Sequence, residues 1–380
     1  MNILITRPGD CLAPDGVNLF IFELSDALIQ LGHEVHILSE ITGNIPPGGS
    51  TILFKHQVQQ MFSVKEVPNP ISLRSAPHGG NILLNYLESN LLFATKGSRV
   101  IRAISPDMTI FNGATAAFCP CFRVLVNHDF EFRAKFTREY DTIAYRTFDK
   151  IVSTSSELAQ AITTKLHLPV NKVTVIPICI DTAKFSPRAG NQRIHAILHV
   201  GPRQEKRPDI TIEAFARIAR NDQEIKLFIA GPIHPENVLY TQIRKMERGV
   251  QDRIVVLGAI SKEELVNLYS SVKVTCVPSD YRIPVCSPTV IESLAAGTPV
   301  VGSLSAISKD LLVDGYDGFR VIPYNIEMFA SRLQLLIHNK QLWSEMSRNA
   351  LRLSKRCDKK SVARDYLMLF KNSSGFIGNK

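Results

Sequence analysis

Apolar and polar positions along the first 38 residues follow two periods in turn. Asn2–Arg7 is a short apolar run that reads as a strand. Pro8–Gly16 is a loop rich in Pro, Gly and Asp. From Val17 to Leu31 the period becomes helical, with Phe20, Leu24, Ala27, Leu28 and Leu31 on one face. Gly32 stops that helix, and Val35–Leu38 is a second strand. The plan restarts at Ala196–Val200, a strand followed by the polar loop Gly201–Arg207. Pro208 then opens a helix whose apolar stripe is Ile212, Phe215, Ala216 and Ala219. Strand and helix pairs continue: Lys226–Ala230 with Leu239–Met246, Ile254–Leu257 with Lys262–Ser270, and Lys273–Val277 with Thr289–Ala296. Pro299–Val301 is the next strand.

Such alternation predicts an α/β protein with parallel sheets and helices on both faces. The restart predicts two doubly wound halves, hinged near Asp181–Gln192, where Pro187, Arg188, Gly190 and Asn191 cluster. The expected domains are residues 1–187 and 188–353, followed by a basic segment at 354–380. Amphipathic helices are expected at Gln341–Leu353 and Ser361–Phe370. Residues 42–105 carry loop signals, Pro46-Pro47-Gly48-Gly49 and Pro68-Asn69-Pro70, around one expected helix at Ile82–Phe93.

Composition narrows the classes. With 380 residues, 45% hydrophobic and 21% charged, the chain is an ordinary globular one. The net charge of +9 is uneven. Residues 348–371 hold Arg348, Arg352, Lys355, Arg356, Lys359, Lys360, Arg364 and Lys371 against Asp358 and Asp365. A charge gathered in one terminal stretch argues against a nucleic-acid binder. No apolar run is long enough for a transmembrane helix, and Asp10 and Asp15 interrupt the place of a signal peptide core. A cytoplasmic location is therefore expected. Seven cysteines, an odd and sparse count, point to free thiols in a reducing compartment. Cys119-Pro120-Cys121 is too tight for a zinc pair and reads as small buried thiols.

Open parallel sheets bind ligands beyond the carboxyl ends of their strands. G-x-G-x-x-G, G-x-x-x-x-G-K-[ST] and H-E-x-x-H are all absent. Two candidates remain. Arg203 and Lys206 leave a strand end just before a helix N-terminus, where cations could hold a diphosphate or simply be solvated. Glu292 follows Pro288 in the first turn of an apolar helix. It could accept two bonds from a ribose diol, or only face the helix dipole.

With those residues the chain resembles the retaining glycosyltransferases of family 4, which have the GT-B fold: two Rossmann-like domains facing a cleft. The resemblance runs from Asn2-Ile-Leu-Ile, the Gly16 loop and Leu31-Gly-His-Glu-Val35, through Asp149–Ser155 and Val173–Pro177 with Asp181 and Phe185–Pro187. It continues with Lys206-Arg-Pro-Asp209, Ile229-Ala-Gly231, Leu257-Gly258 and the Glu292–Val301 block. It implies an acceptor-binding first domain, a second domain for the nucleotide-sugar, and a last helix crossing back to the first. By the same resemblance Arg203 and Lys206 neutralise the donor diphosphate and Glu292 holds the ribose. Backbone N–H groups around Ser287, Pro288 and Thr289 contact phosphate or sugar, Gly16 admits the donor, and His128 lies near the transferred sugar.

Three departures stand out. Pro284 occupies the position of a second Glu, eight residues before Glu292, the Arg203–Lys206 spacing is short, and Ile178-Cys179 replaces an Asn-Gly. The expected function is transfer of a sugar from a nucleotide diphosphate donor, a UDP-sugar, with retention and without a metal or other cofactor. The acceptor is a small molecule, glycan or lipid-linked group. The rival expectations are a non-catalytic binding or scaffold subunit and another GT-B reaction such as epimerisation. The basic tail reads as a solvated helix face or as a peripheral contact with the inner membrane face.

Overall fold

The computed structural model describes residues 1–8, 11–12, 15–39, 59, 64–66, 69–72, 93–113, 120–128, 142–187, 193–233, 238–281 and 283–374. The chain divides into two compact units, Met1–Ile180 with Lys359–Lys380, and Asp181–Asp358.

Among the described residues the first unit carries a seven-stranded sheet in the order β3-β2-β1-β4-β5-β6-β7. Its strands are β1 (Asn2–Arg7), β2 (Glu34–Ser39), β3 (Asn69–Ser72), β4 (Met108–Phe111), β5 (Phe122–Asn127), β6 (Lys150–Ser153) and β7 (Val173–Val175). All pairings are parallel; Ile3, for example, lies between Val35 and Met108. Ile3, Leu4 and Ile5 are fully buried, as a central parallel strand covered on both faces requires. The strand order reverses between β1 and β4.

The second unit repeats the plan with six parallel strands in the order β10-β9-β8-β11-β12-β13. These are β8 (Ile194–Val200), β9 (Lys226–Ala230), β10 (Ile254–Gly258), β11 (Val272–Val277), β12 (Val300–Ser303) and β13 (Gly318–Val321). Its reversal lies between β8 and β11.

Several expectations change. Pro68-Asn69-Pro70 reads as a loop, yet Asn69–Ser72 is strand β3. Among the described residues it pairs only with β2, so it is an edge there, where a Pro without an N–H costs no ladder bond. The units divide at the start of the stretch expected as the hinge, Asp181–Gln192. Thr182–Phe185 is helical, and Phe185 packs on Tyr269 at 6.1 Å, so this stretch belongs to the second unit. The units divide at 180/181 and 358/359, not at 187/188 and 353/354.

The first helix, Gly16–Gln30, differs from its sequence pattern too. Besides the apolar stripe, Glu23 and Asp26 are buried. The helix Lys359–Ser374 covers that polar face and places Lys359, itself buried, against Asp26 and at 3.4 Å from Glu23. Lys359 therefore leaves the exposed basic stretch, whose members Arg348, Arg352, Lys355, Arg356, Lys360, Arg364 and Lys371 remain at the surface. The expected helix over 82–93, apart from its last residue, and Cys119 lie outside the described residues. The six described cysteines are all unbridged.

Candidate functional site

Both reversals gather polar residues at the carboxyl edge of a sheet. In the second unit β8 ends in Gly201 at φ +81°, a conformation L side chains rarely adopt, which turns the chain into the loop Arg203–Arg207. Asp280 N–H bonds the Glu205 carbonyl at 3.1 Å, tying this loop to the chain leaving β11. Lys206 lies over the Tyr281 ring at 5.6 Å. Arg207, left-handed at φ +52°, bonds Asp209 at 2.9 Å and covers the Tyr324 ring at 4.5 Å. Tyr324 donates to Asp280, which also accepts from Ser305 at 3.0 Å. Arg203 is 68% exposed and pairs with Glu205 at 3.0 Å. Of the two expected cations, Lys206 is thus tied to the β11 connection and Arg203 is turned to solvent.

Helix Pro288–Ala295 starts with Ser287 as its N-cap and Pro288 at its first position, where a missing N–H is harmless. Ser287 makes no side-chain cap bond. Its hydroxyl, like that of Ser279 on the same connection, is buried without a hydrogen-bond partner among the described residues. A buried hydroxyl left unbonded costs about 1–3 kcal/mol. The one at the helix N-terminus, Ser287, suits an anion that would bond it, with Thr289 in the first turn beside it.

Because the helix begins at Pro288, Glu292 lies past its first turn, which contains no acidic residue. The helix-dipole reading therefore loses its geometry. Glu292 is 4% exposed. Lys262 donates to Oε1 at 2.5 Å and Tyr269 to Oε2 at 3.0 Å. Lys262 also lies over the Phe185 ring at 4.8 Å. Burial, then the neighbouring Glu292, pushes the Tyr269 phenol well above its ordinary value, so it stays a donor. Neither Lys262 nor Tyr269 was expected. Their signal is spacing: seven residues apart, they share a face of helix Lys262–Ser271 two turns apart. Ser261 starts that helix with a reciprocal Ser261–Glu264 capping box.

In the first unit His128 follows β5, beside the reversal. Its Nε2 is 2.9 Å from Asn112 Oδ1, and the Phe20 ring meets it edge-on at 5.0 Å. Burial, and secondarily the Arg7 charge, pushes its pKa down to about 3. Arg7 is held by Asp15 at 2.9 Å and Asn18 at 3.1 Å. Gly16 is the exposed first residue of the helix that Asp15 caps, and it uses no glycine-specific backbone angle. The expected residues thus form one group around the β8, β11 and β12 ends (Lys206, Ser287, Pro288, Thr289, Glu292) and another around His128.

Fold and site together define a two-domain, Rossmann-like α/β protein of GT-B type. Residues 14–184 match the family described as Glycosyltransferase Family 4, and residues 185–353 match Glycosyl transferases group 1. The chain belongs to this family of glycosyltransferases. It is 26% identical over 195 residues to the MMP alpha-(1->4)-mannosyltransferase of Mycolicibacterium hassiacum, covering 50% of this chain and 46% of that protein. It is 24% identical to a D-inositol 3-phosphate glycosyltransferase of Nocardiopsis dassonvillei, covering 50% and 48%. The matches therefore span about half the length of these curated relatives. Among solved structures it resembles Anabaena Alr3699/HepE in complex with UDP (TM-score 0.77, 16% identity, 98% of this chain and 100% of that one). It also resembles the sucrose-phosphate synthase of Thermosynechococcus elongatus (TM-score 0.74, 16% identity, 99% of each chain).

Proposed function

We propose that the chain is an active retaining glycosyltransferase using a UDP-sugar donor. Its second unit holds the donor, and its first unit binds a small-molecule, glycan or lipid-linked acceptor. The observation that carries this reading is the buried Glu292 carboxylate, oriented by Lys262 and Tyr269 at the carboxyl edge of the second sheet. Each of its oxygens keeps lone-pair capacity beyond the bond it already accepts, enough for a ribose diol. Lys206, the unbonded hydroxyls of Ser279 and Ser287, and the first turn at Thr289 support a diphosphate beside it. In this reading they stabilise the charge that develops as the glycosidic bond breaks. The leaving diphosphate takes the acceptor proton, so the mechanism needs neither a side-chain base nor a metal.

Calorimetry with UDP tests the assignment: Glu292→Ala should weaken binding at least about tenfold, roughly 1.4 kcal/mol. Unchanged affinity removes Glu292 from the donor site. Pro284, which offers no side-chain hydrogen bond where the family has Glu, favours one rival, a binding subunit without turnover. Release of sugar from any member of a donor panel decides for the enzyme. Activity abolished by a chelator and restored by magnesium or manganese would end the metal-free part.

No helix among the described residues is long and apolar enough to cross a membrane. Peripheral attachment on the cytoplasmic face belongs to the same proposal. It predicts vesicle binding that is lost when the exposed Lys355 and Lys360 become Glu.

A further inference from the structure

We propose that Asn112 is a positioning residue that holds His128 in a single tautomer. The imidazole then meets ligand only as an acceptor, through Nδ1, and reads a hydroxyl of the sugar substrate. The tautomer stands on geometry alone; the identity of the ligand rests on the transferase reading.

The argument starts at Thr6, the penultimate residue of β1. Its backbone oxygen can only accept. It takes the Asn112 backbone N–H at 3.1 Å and the Asn112 side-chain Nδ2 at 3.2 Å. Turning the amide over would set two oxygens against each other, so Nδ2 must face Thr6. The atom facing His128 Nε2, at 2.9 Å, is therefore the amide oxygen. That oxygen carries no hydrogen, so Nε2 must donate. A neutral imidazole with its hydrogen on Nε2 has a bare Nδ1. Asn112 is 3% exposed, which denies water the chance to compete for either bond. The edge-on Phe20 ring fixes the plane of the imidazole.

The electrostatics agree. Among the described residues the charge that acts on the ring is Arg7 on β1, itself bound to Asp15. Burial and Arg7 both oppose a second proton on the ring. Among the described residues none donates to Nδ1. A group of this kind neither protonates a leaving oxygen nor shuttles a proton near neutrality. It separates ligands that present a hydrogen from ligands that do not.

The first test needs no turnover. Long-range proton–nitrogen correlation on the ligand-free, 15N-histidine-labelled chain reads the ring directly, with His128 assigned by its loss in His128→Gln. The expected result is Nε2–H with bare Nδ1 throughout pH 5–8. An Nδ1–H form, or a ring that becomes doubly protonated in that range, overturns the proposal whether or not the chain is a transferase. In Asn112→Leu both tautomers should appear; a ring still wholly Nε2–H overturns the role of Asn112. The second test uses donor sugars with single hydroxyls replaced by hydrogen or fluorine. Fluorine cannot donate, so at the position read by His128 both analogues should lose kcat/KM alike, about tenfold or more. In Asn112→Leu the penalty at that position should shrink. Fluorine analogues that keep activity wherever the deoxy analogue loses it overturn the acceptor role.

Discussion

Two lysine–carboxylate contacts of the same chemistry occupy the two units and do different work. In the first unit Lys359 meets Asp26 and Glu23 with all three side chains at most 5% exposed. In the second, Lys262 meets Glu292, but the lysine is 31% exposed and its carboxylate 6%. A closed triad has no solvent to fall back on. Its lysine can serve only to neutralise the polar face of the first helix where the last helix covers it. The half-open pair can let go of its lysine into water while the carboxylate stays put. Burial on one side only is what a recognition group needs: a carboxylate fixed in place, with a partner that can yield. The difference lies in accessibility, not in the residues.

The largest effect should come from breaking the closed triad. Lys359→Met leaves two buried carboxylates without a cation, a change that costs about 3–5 kcal/mol in comparable sites. Denaturant unfolding of the first unit measures it, and a loss below about 1 kcal/mol would show that the triad is not closed. Its pH dependence has a definite sign. Burial alone would raise Asp26, but its bonds from Lys359, Glu66 N–H and Gln30 reverse this and leave it below the ordinary value. A depressed carboxyl contributes stability above its unfolded pKa and loses it as pH falls through the folded one. Without Lys359 burial prevails, Asp26 rises, and the variant's penalty sets in as pH climbs past the unfolded value. Parent and variant should therefore converge below about pH 4.

Next comes Glu292→Ala, where UDP binding should drop about tenfold or more while stability falls by about 1–3 kcal/mol, because Lys262 can turn to solvent but the buried Tyr269 hydroxyl loses an acceptor. Equal losses of stability in Glu292→Ala and Lys359→Met would erase the contrast. A third effect cuts across both units. His128 and His199 are held neutral, with burial as the main cause, at about 3 and about 4. Each is protonated in the unfolded chain below 6.5 and resists protonation in the folded one. Stability is then complete above pH 6.5 and falls as pH drops toward 4 and 3. A folded state whose stability is flat from pH 6.5 to 4.5 would contradict both assignments.

Most of the framework was legible because it is local. The strand at Asn2–Arg7, the helix opened by Pro208 and the strand at Lys226–Ala230 each announce themselves within a few residues. The Glu292 block was legible as a motif and its helix bounds were right to one residue, yet Glu292 lies past the first turn in which it was expected. What stayed hidden is long-range. Lys359 and Asp26 are 333 positions apart, so nothing near Lys359 marks it as buried, and it counts among the surface charges until the helices are packed. Tyr269 looks like one more apolar core position, and Lys262 like a solvated first-turn residue. Only the fold shows both pointing at Glu292 from the adjacent helix. Strand β3 failed for the opposite reason: a strong local loop signal is harmless at a sheet edge.

The smallest effect sharpens the contrast most finely. Tyr269→Phe removes one hydroxyl and keeps the ring, so its edge contact with Phe185 survives. Glu292 keeps Lys262 on Oε1 and loses its only described donor on Oε2. If that oxygen were there simply to satisfy the tyrosine, the loss would be structural, about 1 kcal/mol of stability, with UDP affinity unchanged. If Glu292 is a ribose acceptor, the tyrosine aims the carboxylate. Affinity should then fall about threefold to fivefold, and at saturating UDP the stability gap between parent and variant should widen by about 0.7–1 kcal/mol through binding linkage. An affinity that stays at the parent value, with stability reduced, would put the Tyr269–Glu292 bond in the same structural class as the Lys359 triad.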